Sequence, residues 1–151
     1  MHNREIRLDD VIELMKEKLG SGYDVTFSPK GTSMLPLLKE GRDSVTLTAP
    51  PPQLQKYDII FYRRDSGQYV LHRVVRVGRT YTCMGDHQYV PEKGIRRDQI
   101  IAVCSSFIRK GKQVSSNAPK WRMYAIFWHY SRPVRRALNG VRGRIVSMIK
   151  G

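Results

Sequence analysis

Between Tyr23 and Arg109 the chain repeats one pattern, short runs rich in β-branched and aromatic residues with turn chemistry at their ends. The runs are YDVTFS, DSVTLT, YDIIFYR, YVLHRVVRV, RTYTCM and QIIAVCSSFIR. Their separators include RDSGQ, VGRT and the proline run Pro50-Pro51-Pro52. Glycine and proline there either accept or impose the backbone angles of tight turns, so each separator interrupts a strand rather than extending it. Short strands at hairpin-like spacing predict a mainly β chain, an antiparallel and partly closed β-domain.

The two flanks read differently. Leu8, Val11, Ile12, Met15 and Leu19 recur at helical period, with Asp9 and Asp10 in the first turn and Gly20 as a stop, which predicts a short amphipathic helix. After Ile108 the charge becomes one-sided. Arg109, Lys110, Lys112, Lys120, Arg122, Arg132, Arg135, Arg136, Arg142, Arg144 and Lys150 face no Asp or Glu to the end of the sequence. Within this tail KWRMYAIFWHY is aromatic and apolar, and Val134, Leu138, Val141, Ile145 and Met148 fall at helical spacing after Pro133, a residue suited to a helix start. The expected organisation is an N-terminal helix over 1–20, a β-domain over 21–110 and a basic helical tail over 111–151.

A chain of 151 residues carrying 27 Lys and Arg against 13 Asp and Glu, a formal net charge of +14, holds one hydrophobic core plus an appendage and favours anionic partners. A basic amphipathic tail fits an anionic membrane surface through residues 119–151, and fits equally a helical pair covering an open sheet; the two are compatible. The first twenty residues are charged throughout and no run of 18 apolar residues occurs, so neither a secretory signal nor a spanning helix is expected. The expected location is cytoplasmic with peripheral membrane association. Cys83 and Cys104 sit inside strand-like runs without Cys-x-x-Cys spacing. They read as buried thiols of a reduced protein, and no metal or other cofactor is expected.

The residues that could carry chemistry begin with GTSMLP, which sets Ser33 between a glycine and Met-x-Pro. A serine nucleophile needs a base within hydrogen-bond reach and a third group to orient that base. Of His2, His72, His87 and His129, the first is terminal and the last lies in the basic aromatic segment. His72, in YVLHRVVRV, shares a strand face with Val70 and Val74. Spacing alone favours a half-buried histidine held by a backbone carbonyl over a catalytic one.

The order of the segments GTSMLPLLKEGRDSV, KYDIIFYR, YVLHRVVRV and TCMGDHQYVPEKGIRRDQIIAV, over about residues 27 to 108, resembles that of the signal-peptidase and LexA-like serine peptidases, the S24/S26 class. The resemblance implies a LexA/signal-peptidase-like fold with Ser33 as nucleophile and Gly31, Thr32, Met34 and Pro36 shaping its loop. It also implies His72 as base, where bacterial signal peptidases place a lysine. Histidine there is similar to the archaeal, endoplasmic-reticulum and sporulation-type signal peptidases, and imidazole accepts a proton near neutral pH without prior desolvation. In those relatives an acid after the Gly-Asp box orients the base. Here the box is Gly85-Asp86, and Glu92 stands at the comparable offset, with Asp86 and Asp98 as alternatives. The chain departs from the pattern at Gly41-Arg42-Asp43, at Tyr57-Asp58 and at Gly31, where the family carries Gly-Asp, Gly-Asp and a serine. It also has no spanning segment of the kind that holds signal peptidases at the membrane.

These readings lead to the expectation of a serine endopeptidase acting on a peptide or protein, a leader or signal-like segment, through an acyl-enzyme. A catalytically silent or self-cleaving binding module on the same fold is the first alternative. A basic membrane-surface or nucleic-acid-binding protein is the second, with no specific nucleic acid expected because a lone short helix is too little for a helix-turn-helix.

Overall fold

In a computed structural model that describes residues 7–150, the chain is a mainly antiparallel β-sheet with three helices. The elements are α1 (Leu8–Gly20), β1 (Val25–Phe27), β2 (Ser44–Thr48), β3 (Ile59–Arg63), β4 (Tyr69–Val77), β5 (Tyr81–Met84), β6 (Glu92–Ile95), β7 (Ile100–Arg109), β8 (Lys112–Ser115), α2 (Pro119–Tyr130) and α3 (Arg132–Lys150). All six strand-like runs of the sequence form strands, and α1 ends one residue past the predicted Leu19. Two strands were not anticipated. β6 has the sequence EKGI and β8 KQVS, both short and too polar to carry a period-2 signal.

Strand order is β1-β2-β7-β3-β4-β5-β6, with β8 also paired to β7. Every pairing is antiparallel. The path of hydrogen bonds runs from β1 to β6 without joining its ends, so the sheet is open where partial closure was expected. β7 holds it together: Val103–Ile108 pair with β2, Ile100–Val103 with β3 and Ser106–Arg109 with β8. The β7–β8 hairpin crosses residue 111, where the sequence reading divides the β-region from the tail. Its turn residues Lys110 and Gly111 have φ of 51° and 80°, the two positive values a tight type I′ turn requires.

The sheet buries both faces. On one side α1 lays Ile12, Met15 and Leu19 over Leu37, Leu38, Val45, Leu47, Ile59, Phe61, Leu71 and Phe107. On the other side Leu54, Ile60, Tyr62, Val74, Cys83, Ile95 and Ile100 form a second cluster. β3 alternates between the two, which is why IIFY reads as a continuous apolar run rather than an alternation. Cys83 and Cys104 are free and buried, and burial pushes both thiols up to about 12. Among the described residues no helix is long and apolar enough to cross a membrane.

The two departures from the Gly-Asp pattern have structural accounts. Tyr57 has φ 76°, a left-handed conformation that costs a non-glycine residue on the order of 1–3 kcal/mol. Its N–H donates to the Val74 carbonyl at 2.7 Å and its own carbonyl accepts from Arg73 Nη1 at 3.0 Å, so backbone pairing holds the strained angle. Asp43 is buried and accepts from Lys39 N at 2.8 Å, Lys110 N at 3.1 Å and the Arg42 guanidinium at 2.8 and 2.9 Å. It thereby ties the end of the β1–β2 connection to the β7–β8 turn.

Burial of Asp43 raises its pKa, yet the bonds from Arg42 and the two amides outweigh it and hold the carboxyl at about 2. A depressed carboxylate contributes stability that is fully present above its unfolded pKa and is lost as pH falls through the folded value. Replacing Asp43 by Asn is expected to remove about 2 kcal/mol at neutral pH. Urea melts between pH 2 and pH 4 should then show the wild-type stability falling toward that of the variant.

Candidate active site

Ser33 lies in the turn-rich connection between β1 and β2. Gly31 enters it with φ 85° and donates its N–H to Glu40 Oε2 at 2.7 Å. Leu35 N bonds the Thr32 carbonyl and Leu38 N the Met34 carbonyl, which winds the segment into consecutive turns. Met34, Leu37 and Leu38 point into the first core cluster and pin the turns from below. Ser33 is left half-buried, with Thr32 and Pro36 exposed beside it. Among the described residues Ser33 Oγ has no hydrogen-bond partner.

The turn after β5 presses against this connection. The Ser33 carbonyl accepts from His87 N at 2.9 Å, and a Cβ at Gly85 would collide with that same carbonyl oxygen. Gly85 is therefore glycine for close approach. Asp86, fully buried, accepts from Arg73 Nε at 2.8 Å, Arg73 Nη2 at 3.0 Å and the Tyr124 hydroxyl at 3.1 Å, while its backbone carbonyl accepts from Trp128 Nε1 at 2.6 Å. Arg132 adds bonds to the carbonyls of Gly85 and Gln88. Asp86 thus anchors α2 and β4 and does not hydrogen-bond His72.

His72 sits on β4, paired with Ile60 of β3, and is 2% exposed. Tyr62, two residues along β3 on the same face, is its diagonal neighbour. The Tyr62 hydroxyl donates to Glu92 Oε2 at 2.8 Å and lies 3.3 Å from His72 Nδ1. A phenol has one proton, and Glu92 takes it, so toward the ring the phenolic oxygen is the acceptor. That assigns the proton of neutral His72 to Nδ1 and leaves the Nε2 lone pair free. Glu92 Oε2 stands 3.9 Å from Nδ1, too far for a hydrogen bond, so its link to the imidazole runs through Tyr62. Arg64 grips the same carboxylate, with Nε at 2.9 Å from Oε1 and Nη2 at 2.9 Å from Oε2.

These contacts set the charges. Burial chiefly, and then the Arg64 cation, push His72 down to about 4, against the pull of Glu92 and Asp86. The ring is neutral at physiological pH. Burial acts to raise Glu92, but bonds from Arg64 and Tyr62 prevail and hold it below the ordinary carboxylate range. Burial and the bond to Glu92 push the Tyr62 phenol up, so it remains protonated.

Ser33 and His72 line one cleft of about 280 Å³, together with Gly31, Thr32, Met34, Arg64 and Gln68 among others. Asp98 is outside it, exposed on a single 3₁₀ turn (Arg97–Gln99) and paired with Arg96. Of the three acids read from the sequence, Glu92 is the one hydrogen-bonded to Tyr62, the group that touches the histidine. Tyr62 and Arg64 were not anticipated; the available signal was YDIIFYR, where a tyrosine on the buried strand face must find a polar partner. Gln88, which accepts from Gly85 N at 3.0 Å through Oε1, was missed as well. Among the described residues no group of three or more His, Cys, Asp or Glu is arranged to hold a metal ion.

Comparison of the chain with family models, with curated proteins and with solved structures finds no match.

The anchoring role of Asp86 separates it from the exposed Asp98. Asp86→Ala strands the buried Arg73 guanidinium and should cost about 3–5 kcal/mol. Asp98→Asn should stay within about 0.5 kcal/mol of wild type. Thermal melts of the two variants check the contrast.

Proposed function

We propose that the protein is a serine endopeptidase of the signal-peptidase and LexA-like class, with Ser33 as nucleophile, His72 as base and Glu92 acting on the base through Tyr62. The observation that carries this reading is the shared cleft: a serine with an unengaged hydroxyl and a neutral histidine whose protonated nitrogen is already committed to Tyr62 both line it. Ser33 Oγ attacks the scissile carbonyl as His72 Nε2 takes its proton. The imidazolium that forms is stabilised by the Tyr62 oxygen and the Glu92 charge behind it. Collapse of the tetrahedral intermediate expels the amine, which takes the proton from Nε2, and leaves an acyl-enzyme that water hydrolyses by the same steps. The backbone N–H of Ser33, without an acceptor among the described residues, supports an oxyanion hole made of main-chain donors.

The strand ladder supports a peptide substrate. β5 pairs with β4 only from Arg73 to Val77, so Tyr69–His72 pair with β3 alone and leave their other edge open beside the cleft. An extended peptide can add to such an edge through main-chain hydrogen bonds. The LexA-like form of the fold belongs to this same proposal; what supports it is the antiparallel sheet, with Ser33 on the β1–β2 connection and His72 on β4 lining one cleft.

One observation favours a second reading. A histidine held at about 4 is a weak base, which suits a catalytically silent peptide-binding module on the same cleft. Mass-spectrometric profiling of a diverse peptide library with wild type, Ser33→Ala and His72→Ala distinguishes the two. Cuts made by wild type and lost in both variants are expected; identical blank profiles, with retained peptide binding, favour the silent module.

The pH dependence follows from the charges around the ring. The base form exists above the histidine pKa, so kcat/KM should fall on the acid side near pH 4. Arg64→Ala removes a cation and should move this limb upward, whereas Glu92→Gln removes an anion and should move it downward. Tyr62→Phe should leave the fold intact and lower kcat by about tenfold or more, by releasing the Nδ1 tautomer.

A further inference from the structure

α2 has two faces with different fates. Its inner face carries Trp121, Tyr124 and Trp128 onto the sheet and onto Asp86. Its outer face carries Met123, Ile126, Phe127 and Tyr130 at steps of three, one and three residues, and these four line one apolar concavity; Phe127 is 71% exposed. α3 continues the exposure. Val134, Leu138, Val141, Ile145 and Met148 form a stripe at helical spacing, with every one of them exposed. On a helical projection the exposed Arg142 borders the stripe on one side and the exposed Arg144 on the other, while Arg135 turns back onto the Trp128 ring and carbonyl. No Asp or Glu occurs from Arg109 onward to offset them.

We propose that the outer faces of α2 and α3 dock on an anionic lipid bilayer, with the apolar stripe entering the headgroup boundary and the bordering arginines on the lipid phosphates. Both parts of the surface match that occupant. Aliphatic residues over two helices supply the apolar area an interfacial helix inserts, and arginines at its borders lie at headgroup height. A second copy of the chain would bring one acid-free cationic face against another. Nucleic acid would engage the arginines through its phosphates but would leave Leu138, Ile145 and Met148 in water. The inner face of α2 and Arg132 hold the Gly85–Asp86 turn that packs against Ser33, so a docked protein carries its cleft at a set distance from the bilayer. The inference does not rest on the peptidase reading.

The test is co-sedimentation of the full chain with vesicles of phosphatidylcholine alone and of phosphatidylcholine mixed with phosphatidylglycerol, at low and physiological salt. Binding to the mixed vesicles alone, weakening with salt, is expected. Phe127→Ser/Leu138→Ser/Ile145→Ser should lower affinity by at least about tenfold. Arg142→Gln and Arg144→Gln, at exposed positions, should each lower it roughly fivefold and keep the arm informative if the serine variant misfolds. Absence of binding, or equal binding to both vesicles with no response to arginine loss, overturns the proposal. So does displacement from mixed vesicles by duplex DNA at physiological salt that the serine variant still binds. A concentration-dependent dimer in sedimentation velocity that the serine variant abolishes also overturns it, in favour of self-association.

Discussion

The buried pair of Arg73 and Asp86 is the contact that most of the molecule is arranged around. Two charges out of water are tolerated only when their remaining hydrogen-bonding capacity is met, and here the Tyr57 carbonyl meets the guanidinium and the Tyr124 hydroxyl the carboxylate. Arg73 belongs to β4, next to His72, and its third nitrogen reaches the strained Tyr57 at the entrance to β3. Asp86 belongs to the turn that abuts Ser33, and α2 bonds both its carboxylate and its carbonyl. One ion pair therefore sets the separation between the strand that bears the histidine and the loop that bears the serine. Gly85-Asp86 thus shapes the cleft without hydrogen-bonding His72.

The environment of His72 balances two demands. Burial keeps the ring neutral and rigid, and a neutral imidazole is ready to accept a proton, but burial also makes it a poor acceptor. Glu92 compensates in part, and Arg64 offsets much of Glu92. The tyrosine between them lets the carboxylate influence the ring while its own charge stays paired to arginine. In the proposed reaction the electrostatics of the site hinge on how firmly Arg64 holds that carboxylate.

Much of the fold could be read from the residues. The six β-branched and aromatic runs bounded by turns, and the helical period beginning at Leu8, were strong signals, so local pattern and tertiary packing agreed. β6 and β8 were hidden because their partners, not their side chains, make them strands: each is short, polar and hydrogen-bonded along an edge. The open sheet was equally hidden, since closure depends on register and twist rather than on the runs themselves. At the site, the motif order pointed to Ser33 and His72 and left three acids in competition. Only the fold could separate them, because Asp86 is consumed by an arginine one residue from the histidine and Asp98 faces water. Tyr62 and Arg64 escaped notice since no local pattern distinguishes a bridging phenol from a core one.

The path of the sheet has a consequence for how the molecule comes into being. β1 and β2 meet the rest of the ladder only through β7, and β2 waits for a partner roughly sixty residues downstream. Until residues 100–109 leave the ribosome, the strand that follows the Ser33 connection and the strand that bears His72 share no continuous ladder. Pairings of such long sequence separation close slowly and late. The cleft is therefore assembled only after β7 has been made and has taken its place between β2 and β3.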